Sequence, residues 1–208
     1  MVAGERHRSV QPGGRPPAPG ALAVVQAFIN THYDLEFDHG AELLSTRGAL
    51  AAWLTARGLT PVGVEARADD LERALAAREG LRALARTNGA GAAAGREARG
   101  AAAGREALAE LDRAARGAPV EIRFAPEGPH FVGADCSVAG AIGVFMALTA
   151  QAMLDGTWSR LKVCPGHDCG WAFYDSSRNQ TGRWCSMSVC GGRAKARAHY
   201  QRRRPGAS

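Results

Sequence analysis

The chain has 208 residues, of which 46% are hydrophobic and only 6% aromatic, and its formal net charge is +6. This length suits one sizeable core and a small appended module. The longest apolar stretch, around residues 138–150, is interrupted by Gly140, Gly143 and Thr149 and falls short of the about 18–20 residues that span a bilayer. Residues 1–20 lack the apolar segment of a signal peptide, so we expect a cytoplasmic protein with no membrane partner.

The charge is distributed unevenly along the chain. Residues 176–208 contain eight Lys or Arg and no Asp or Glu, whereas residues 1–175 contain 18 basic and 20 acidic side chains, a net charge of −2. A basic segment that follows a mildly acidic body is typical of proteins that bind polyanions. A solvated basic tail is the alternative interpretation.

The first elements are predicted to be helical. Residues 1–20 are rich in Pro, Gly and charge without periodicity, which predicts a disordered tail, and a first domain is expected over residues 21–158. Residues 21–31 are mainly apolar. Residues 47–57 form an amphipathic pattern that ends at Gly58. The apolar positions of this second helix are Leu50, Trp53 and Leu54.

A longer amphipathic helix is predicted over residues 68–86, with an interruption near Gly80. A low-complexity insert follows at about residues 89–107, in which one seven-residue unit occurs at both 92–98 and 101–107. Since Gly costs about 1 kcal/mol against Ala in a helix, the insert is predicted to be a frayed helix or a loop.

A hairpin and a buried helix complete the first domain. Residues 120–124 alternate apolar and charged side chains, which predicts a half-buried strand, and residues 127–129 form a turn into a second strand at 130–132. Ser137 is placed to cap a long helix that extends to Asp155 and ends at Gly156.

Four cysteines carry the strongest chemical signal. Two C-x4-C loops are separated by fifteen residues, and their members are Cys164, Cys169, Cys185 and Cys190. Four thiolates at tetrahedral corners suit one structural Zn²⁺ and leave no open position for a catalytic water. A disulfide is disfavoured in a reducing compartment. Replacement of one cysteine ligand by His167 is a second alternative.

The segment between the cysteine pairs contains a short aromatic strand and a polar turn. A module of this size has almost no core, so Trp171, Phe173 and Trp184 are predicted to pack over the metal, and zinc binding should be coupled to folding. Exposed aromatic side chains that stack on bases are the alternative.

A basic helix is predicted after Cys190, within residues 191–204. Ala194 and Ala198 form a strip of small residues suited to docking on the zinc module, which leaves the basic flanks exposed to phosphates. The predicted nucleic-acid contacts are Arg178, Arg183, Arg193, Lys195, Arg197, Arg202 and Arg203.

Residues 161–204 resemble the CGNR zinc finger. The residues that carry the resemblance are Cys169-Gly170, Phe173–Asn179, Arg183–Met187, Lys195, and Cys190-Gly191-Gly192-Arg193, where Gly192 replaces the Asn of the family's run. The upstream part resembles the ABATE domain more loosely, through residues 28–31, 53–54 and 58–59. The resemblance implies a bacterial stress-linked transcription regulator with zinc bound by the four cysteines.

These observations together predict an α+β protein. Its mostly helical first domain contains a β-hairpin and is expected to sense an effector or to form a homodimer. A small zinc-ribbon or treble-clef-like module with four cysteine ligands follows at residues 159–204 and ends in the basic helix, before a tail at 205–208.

The predicted function is that of a zinc-binding, DNA-binding transcription regulator. A zinc ribbon that docks on an acidic protein is an alternative, and RNA binding is favoured if Trp171 or Tyr174 is exposed. We expect no enzymatic activity, because nothing in the sequence orients or activates the thiol of Cys136 near His130 and Asp135.

Overall fold

The computed structural model describes residues 11–32, 42–89, 97–166 and 169–203, and within these ranges it contains six α-helices and two two-stranded antiparallel sheets. The elements in chain order are α1 (Leu22–Ile29), α2 (Arg47–Thr55), α3 (Ala68–Thr87), α4 (Glu97–Ala115), β1 (Val120–Ala125), β2 (Gly128–Gly133), α5 (Val138–Leu154), β3 (Leu161–Val163), β4 (Ala172–Tyr174) and α6 (Gly192–Arg203). This arrangement confirms the predicted α+β class.

The main core lies between α1, α2, α3 and α5. Phe28 of α1 stacks on Phe145 of α5 with ring centroids 4.2 Å apart, and Trp53 of α2 tilts against both rings. The predicted cap of α5 is present, since Ser137 accepts a hydrogen bond from the amide of Gly140, and Thr46 caps α2 in the same way by accepting from the amide of Ala49. The short apolar helix α1 is therefore stabilised by aromatic packing on two other helices.

Helix α3 differs from its predicted form because it continues through Gly80 without interruption. Gly80 and Leu81 are buried, and so are the guanidinium groups of Arg78 and Arg82, which a solvated face would leave in water. Tertiary contacts on this face outweigh the low helix propensity of glycine.

Two further predictions concern the insert and the hairpin. Part of the insert falls outside the described residues, and the remainder belongs to α4, which begins at Glu97 as a regular helix. The hairpin β1–β2 is present, but its turn is Pro126-Glu127. The expected half-buried strand is wrong, because Ile122 is 57% exposed and Phe124 is 84% exposed. Neither residue belongs to the main core.

The predicted disordered tail over residues 1–20 is wrong for residues 11–20. Gln11 and Ala18 are only 6% and 3% exposed, and Pro12–Gly14 form a turn of 3-10 helix. These residues order because they find polar partners on distant elements, which a search for periodicity does not reveal. Residues 1–10 and the predicted tail at 205–208 lie outside the described residues.

The strands β3 and β4 form a small hairpin that is buried on both faces. Its Leu161 and Tyr174, which face each other across the strands, belong to the main core, whereas Phe173 belongs to a second cluster with the cysteines. Since side chains alternate between the faces of a strand, the hairpin lies between the two cores and joins them. No helix in the described part of the chain is long and apolar enough to cross a membrane.

Candidate metal centre and basic surface

The four cysteines come from two turns of different kinds. Cys164 follows β3 and Cys169 precedes β4, and the amide of Cys164 donates to the carbonyl of Trp171 at 2.9 Å, which closes the first loop. Cys185 and Cys190 lie before and within a turn of π-helix at Met187–Gly191 that leads directly into α6. The last ligand is therefore at the start of the basic helix.

The first loop needs glycine at two positions. Gly170 has φ +60°, a left-handed conformation that favours glycine. A Cβ on Gly166 would lie 3.2 Å from the Sγ of Cys190 and 3.2 Å from the Cβ of Cys169. The backbone of the loop thus packs directly against the ligand atoms.

The sulfur positions fit a tetrahedral zinc ion. All four Sγ atoms lie within 4.8 Å of one another and are buried, and the Cys169–Cys185 and Cys185–Cys190 separations are both 3.6 Å. Zn–S bonds of about 2.3 Å at tetrahedral angles place neighbouring sulfurs about 3.8 Å apart, whereas a disulfide requires about 2.05 Å. The four cysteines are free and form one structural zinc site.

The electrostatics of the cluster also suit a cation. Hydrogen bonds from the thiols of Cys169 and Cys185 lower the pKa of Cys164, and the same hydrogen bonds raise the pKa values of the two donors. Because the four sulfurs are close together and buried, one of them becomes a thiolate only while its neighbours stay protonated and donate hydrogen bonds to it. A divalent cation stabilises all four as thiolates at once.

Aromatic side chains cover the centre, as predicted. Trp171 and Phe173 are buried with the four cysteines, and the half-buried Trp184 packs against them. Tyr174 is only 8% exposed and lies in the main core. Burial of Trp171 and Tyr174 removes the observation that would have favoured base stacking and RNA.

A buried ion pair braces the segment between the two cysteine loops. Lys162 of β3 donates to Asp175 at 2.7 Å, and Asp175 also accepts from the amides of Ser177 and Gly182. Burial alone would raise the pKa of Asp175, but the hydrogen bonds from Lys162 and Ser177 outweigh it and lower the pKa to about 2. The carboxylate therefore remains ionised and fixes the polar turn.

Side chains of the first domain hold the zinc module by its backbone. Asn30 donates to the carbonyl of Ala172 at 2.8 Å and accepts from the amide of the same residue at 2.8 Å, as a neighbouring strand would. Gln26 also donates to the Ala172 carbonyl. Arg82 of α3 donates to the carbonyls of Gly170, Ile29 and His32. Sequence reasoning missed the roles of Gln26, Asn30 and Arg82. Their partners in the zinc module, Ala172 and Gly170, lie 88 or more residues away in the chain.

The N-terminal segment of residues 11–18 completes this attachment. Gln11 accepts hydrogen bonds from the indole of Trp171 and the amide of Gln26. Arg15 donates to the carbonyls of Cys185 and Trp184, both at 3.0 Å, and its guanidinium lies over the ring of Phe173. The segment thus contacts Trp171 beside the first cysteine loop and the backbone at the start of the second.

The predicted nucleic-acid residues lie mainly on the surface. Six of them are exposed, namely Arg178, Arg183, Lys195, Arg197, Arg202 and Arg203. Arg193 is half-buried and, with Arg197, lines a shallow cleft of about 170 Å³ between α6 and the first cysteine loop. Arg183 lies over the ring of Trp184, which borders the same cleft. The assignment of these residues to nucleic-acid contacts stays a prediction.

The remaining candidates differ in outcome. Ala194 and Ala198 are half-buried and line the cleft next to Cys190, and their docking on the zinc module stays a prediction. His167 lies outside the described residues. Cys136 is exposed, and the carboxylate of Asp135 accepts a hydrogen bond from the hydroxyl of Ser137 at the start of α5.

Comparison with known families supplies two matches. Residues 22–155, more than half of the chain, match the family model named ABATE and described as "putative stress-induced transcription regulator". Residues 160–203 match the model of the CGNR zinc finger. No curated protein matches the chain.

Proposed function

The chain belongs to the ABATE family and carries a C-terminal CGNR zinc finger, and from this premise we propose that it is a DNA-binding transcription regulator. The zinc ion has a structural role in this proposal. The observation that carries it is the position of Cys190, which makes α6 and its exposed basic side chains a direct extension of the metal centre.

Charge and shape support contact with phosphates. The last basic residues of α6 are exposed, and residues 176–208 contain no acidic side chain that would repel a polyanion. Helix α6 is 12 residues long and presents Lys195, Arg197, Arg202 and Arg203 to solvent. A helix of this kind can lie in or along a groove with its basic flanks on the backbone.

Rigid attachment supports a regulator in which the two domains communicate. Asn30, Arg82 and Arg15 fix the backbone of the zinc module to the first domain through directional hydrogen bonds. A rearrangement of α1 or α3 by an effector would therefore change the orientation of α6.

The test is salt-dependent binding of the zinc-loaded protein to random-sequence duplex DNA. We expect micromolar binding that weakens as salt is raised. In the triple variant Arg197→Ala, Arg202→Ala, Arg203→Ala, the slope of log K against log salt should fall by up to about 0.9 for each lost phosphate contact. Affinity and slope equal to those of the wild type would exclude α6 as the DNA-binding element.

A matched control separates local contact from net charge. Arg47, Arg105 and Arg116 are exposed at the start of α2 and on and just after α4, outside the zinc module, and the triple variant Arg47→Ala, Arg105→Ala, Arg116→Ala removes the same charge without touching α6. Its affinity should remain near that of the wild type. Equal losses in both variants would indicate long-range electrostatic attraction instead of contact by α6.

The alternative is a zinc module that docks on an acidic protein without direct DNA contact. The cleft beside α6, which combines Trp184 with Arg193 and Arg197, favours this alternative because aromatic and arginine side chains are common at interface centres. Binding to an acidic partner with no duplex binding at low salt would favour it. In either case we propose a non-enzymatic protein, because a zinc centre with four cysteine ligands has no open position for substrate or water.

A further inference from the structure

The strand β1 has an open edge and an exposed apolar face. Val120, Ile122 and Phe124 are 40%, 57% and 84% exposed, although they alternate with charged residues as in a half-buried strand. Within the described residues, β1 pairs only with β2, and α5 packs chiefly against β2. An exposed edge with large apolar side chains is a template for another strand.

The register of the hairpin fixes which groups of β1 face outward. The two-residue turn is flanked by the pair Ala125–Gly128, which in such a hairpin exchanges both backbone hydrogen bonds. Hydrogen-bonded pairs recur at every second residue. The amides and carbonyls of Val120, Ile122 and Phe124 therefore point away from β2, towards the free edge.

The opposite edge of the hairpin is less suited to a new strand. Pro129 of β2 lies opposite Phe124, at a position whose backbone points outward from β2. Proline has no N–H group to donate, so its presence marks a strand edge that is closed to pairing. The edge of β1 has no proline and presents three consecutive outward positions.

We propose that the occupant of this edge is a second copy of the chain, whose β1 pairs antiparallel with the first around a two-fold axis at Ile122. This register hydrogen-bonds Ile122 to its own copy and Val120 to Phe124 of the second copy. It also places Glu121 opposite Arg123 of the second copy, twice in each dimer. The two charged residues that flank the axis are thus complementary under the two-fold operation.

The neighbouring registers are excluded by charge. The two β1 strands can slide past each other only by steps that keep their outward-facing backbone groups opposite one another, because other steps break the hydrogen bonds. The smallest such step moves the two-fold axis by one residue. Moving it to residue 121 places two Glu121 side chains opposite each other, and moving it to residue 123 does the same with two Arg123. Like charges directly opposite in a sheet are destabilising.

The apolar side chains gain from the same register. Ile122 faces Ile122 and Phe124 faces Val120 of the second copy, and aromatic and β-branched residues form favourable cross-strand pairs. The two hairpins then form one four-stranded sheet. Because a single strand edge buries less than the standard interface of about 1,600 Å², we expect a dimer that dissociates in the micromolar range.

The first test is a charge reversal and its rescue. The mass of the zinc-loaded full chain is measured by sedimentation at about 100 µM, well above the micromolar dissociation expected for an interface of this size. The wild type should be dimeric, and Glu121→Arg and Arg123→Glu should each be monomeric. The double variant should be dimeric again, because it exchanges the charges without changing their complementarity. A monomeric wild type, dimeric single variants or a monomeric double variant would each overturn the proposal.

The second test measures the register directly. Cα atoms of a hydrogen-bonded antiparallel pair lie about 5.5 Å apart, within the range that a disulfide accepts. In a Cys136→Ser background, Ile122→Cys should therefore form a covalent dimer under oxidised glutathione. Val62→Cys is the control, since Val62 is 90% exposed in the loop between α2 and α3 and should stay monomeric. Absence of the Ile122→Cys dimer, or equal cross-linking of both, would refute the register. Both tests omit DNA, so their outcome is independent of the proposed function.

Discussion

Asn30 supplies the sharpest prediction about how the zinc module is held. Its side-chain amide makes two hydrogen bonds of 2.8 Å to the backbone of Ala172, and both residues are buried. In Asn30→Ala, the carbonyl of Ala172 keeps its hydrogen bond from Gln26, but the N–H group loses the acceptor given by Asn30.

The magnitude follows from these two contacts. An unsatisfied buried amide costs about 1–3 kcal/mol, and the second hydrogen bond contributes about 0.5–1.5 kcal/mol. We therefore expect Asn30→Ala to lower the free energy of unfolding by about 1.5–4.5 kcal/mol. Asn30→Asp should destabilise the protein at least as much. Its carboxylate can still accept from the Ala172 amide, but its second oxygen replaces the donor and places a buried negative charge against the Ala172 carbonyl.

The assay is urea unfolding at a fixed free zinc concentration under reducing conditions, followed by tryptophan fluorescence. Fixed zinc is needed because metal bound only to the folded state adds to its stability. Asn179→Ala is the control, since Asn179 is an exposed asparagine of the same module and its loss should change stability by less than about 0.5 kcal/mol. If Asn30→Ala were as stable as this control, the assigned role of the Asn30 amide would be refuted.

Three further predictions concern the module itself. Gly182→Ala places a Cβ 2.7 Å from the Cγ of Asp175, which displaces the hydrogen bond from the Gly182 amide and should lower the free energy of unfolding by about 1–3 kcal/mol. The control Thr181→Ala, at an exposed neighbouring residue, should be neutral in the same denaturation assay. Gly192→Ala should stabilise by up to about 1 kcal/mol, because Gly192 has helical angles and its Cβ would meet only the Met187 carbonyl at 3.7 Å; a lower melting temperature would contradict this. Removal of zinc by a chelator should lower one common melting transition of the whole chain, measured by calorimetry, because the β3–β4 hairpin belongs to both cores; an unchanged transition of the first domain would show that the cores are independent.

Local chemistry made part of this molecule predictable. The two C-x4-C loops identified the metal ligands because a tetrahedral thiolate site imposes both residue type and spacing. Leu50, Trp53 and Leu54 identified α2, and Ser137 identified the start of α5, because periodicity and capping are properties of neighbouring residues.

The contacts between the domains were not predictable in this way. Gln26, Asn30 and Arg82 are polar residues on or beside helices, and each would be equally compatible with a solvated surface. Their partners in the zinc module are backbone groups far away in the sequence, which carry no side-chain signature. The order of residues 11–18 has the same origin, since Arg15 is fixed by carbonyls of the distant cysteine loop.

The exposed strand β1 is the converse case. Its alternation correctly predicted a strand, yet the apolar face that alternation normally buries remains in solvent within the described residues. The periodicity of these residues therefore predicted their extended conformation, but it did not predict whether their apolar face is buried.

The amide of Asn30 on Ala172 has a consequence for the zinc module outside this chain. By occupying both the N–H and the C=O of Ala172, the first domain substitutes for the strand that would otherwise border the zinc hairpin. In a zinc finger moved to another protein, the N–H and C=O groups of Ala172 would lose their hydrogen bonds to Asn30. The carbonyls that accept hydrogen bonds from Arg15 and Arg82 would lose theirs as well. The isolated zinc module is therefore expected to be less stable than the same module in the full chain.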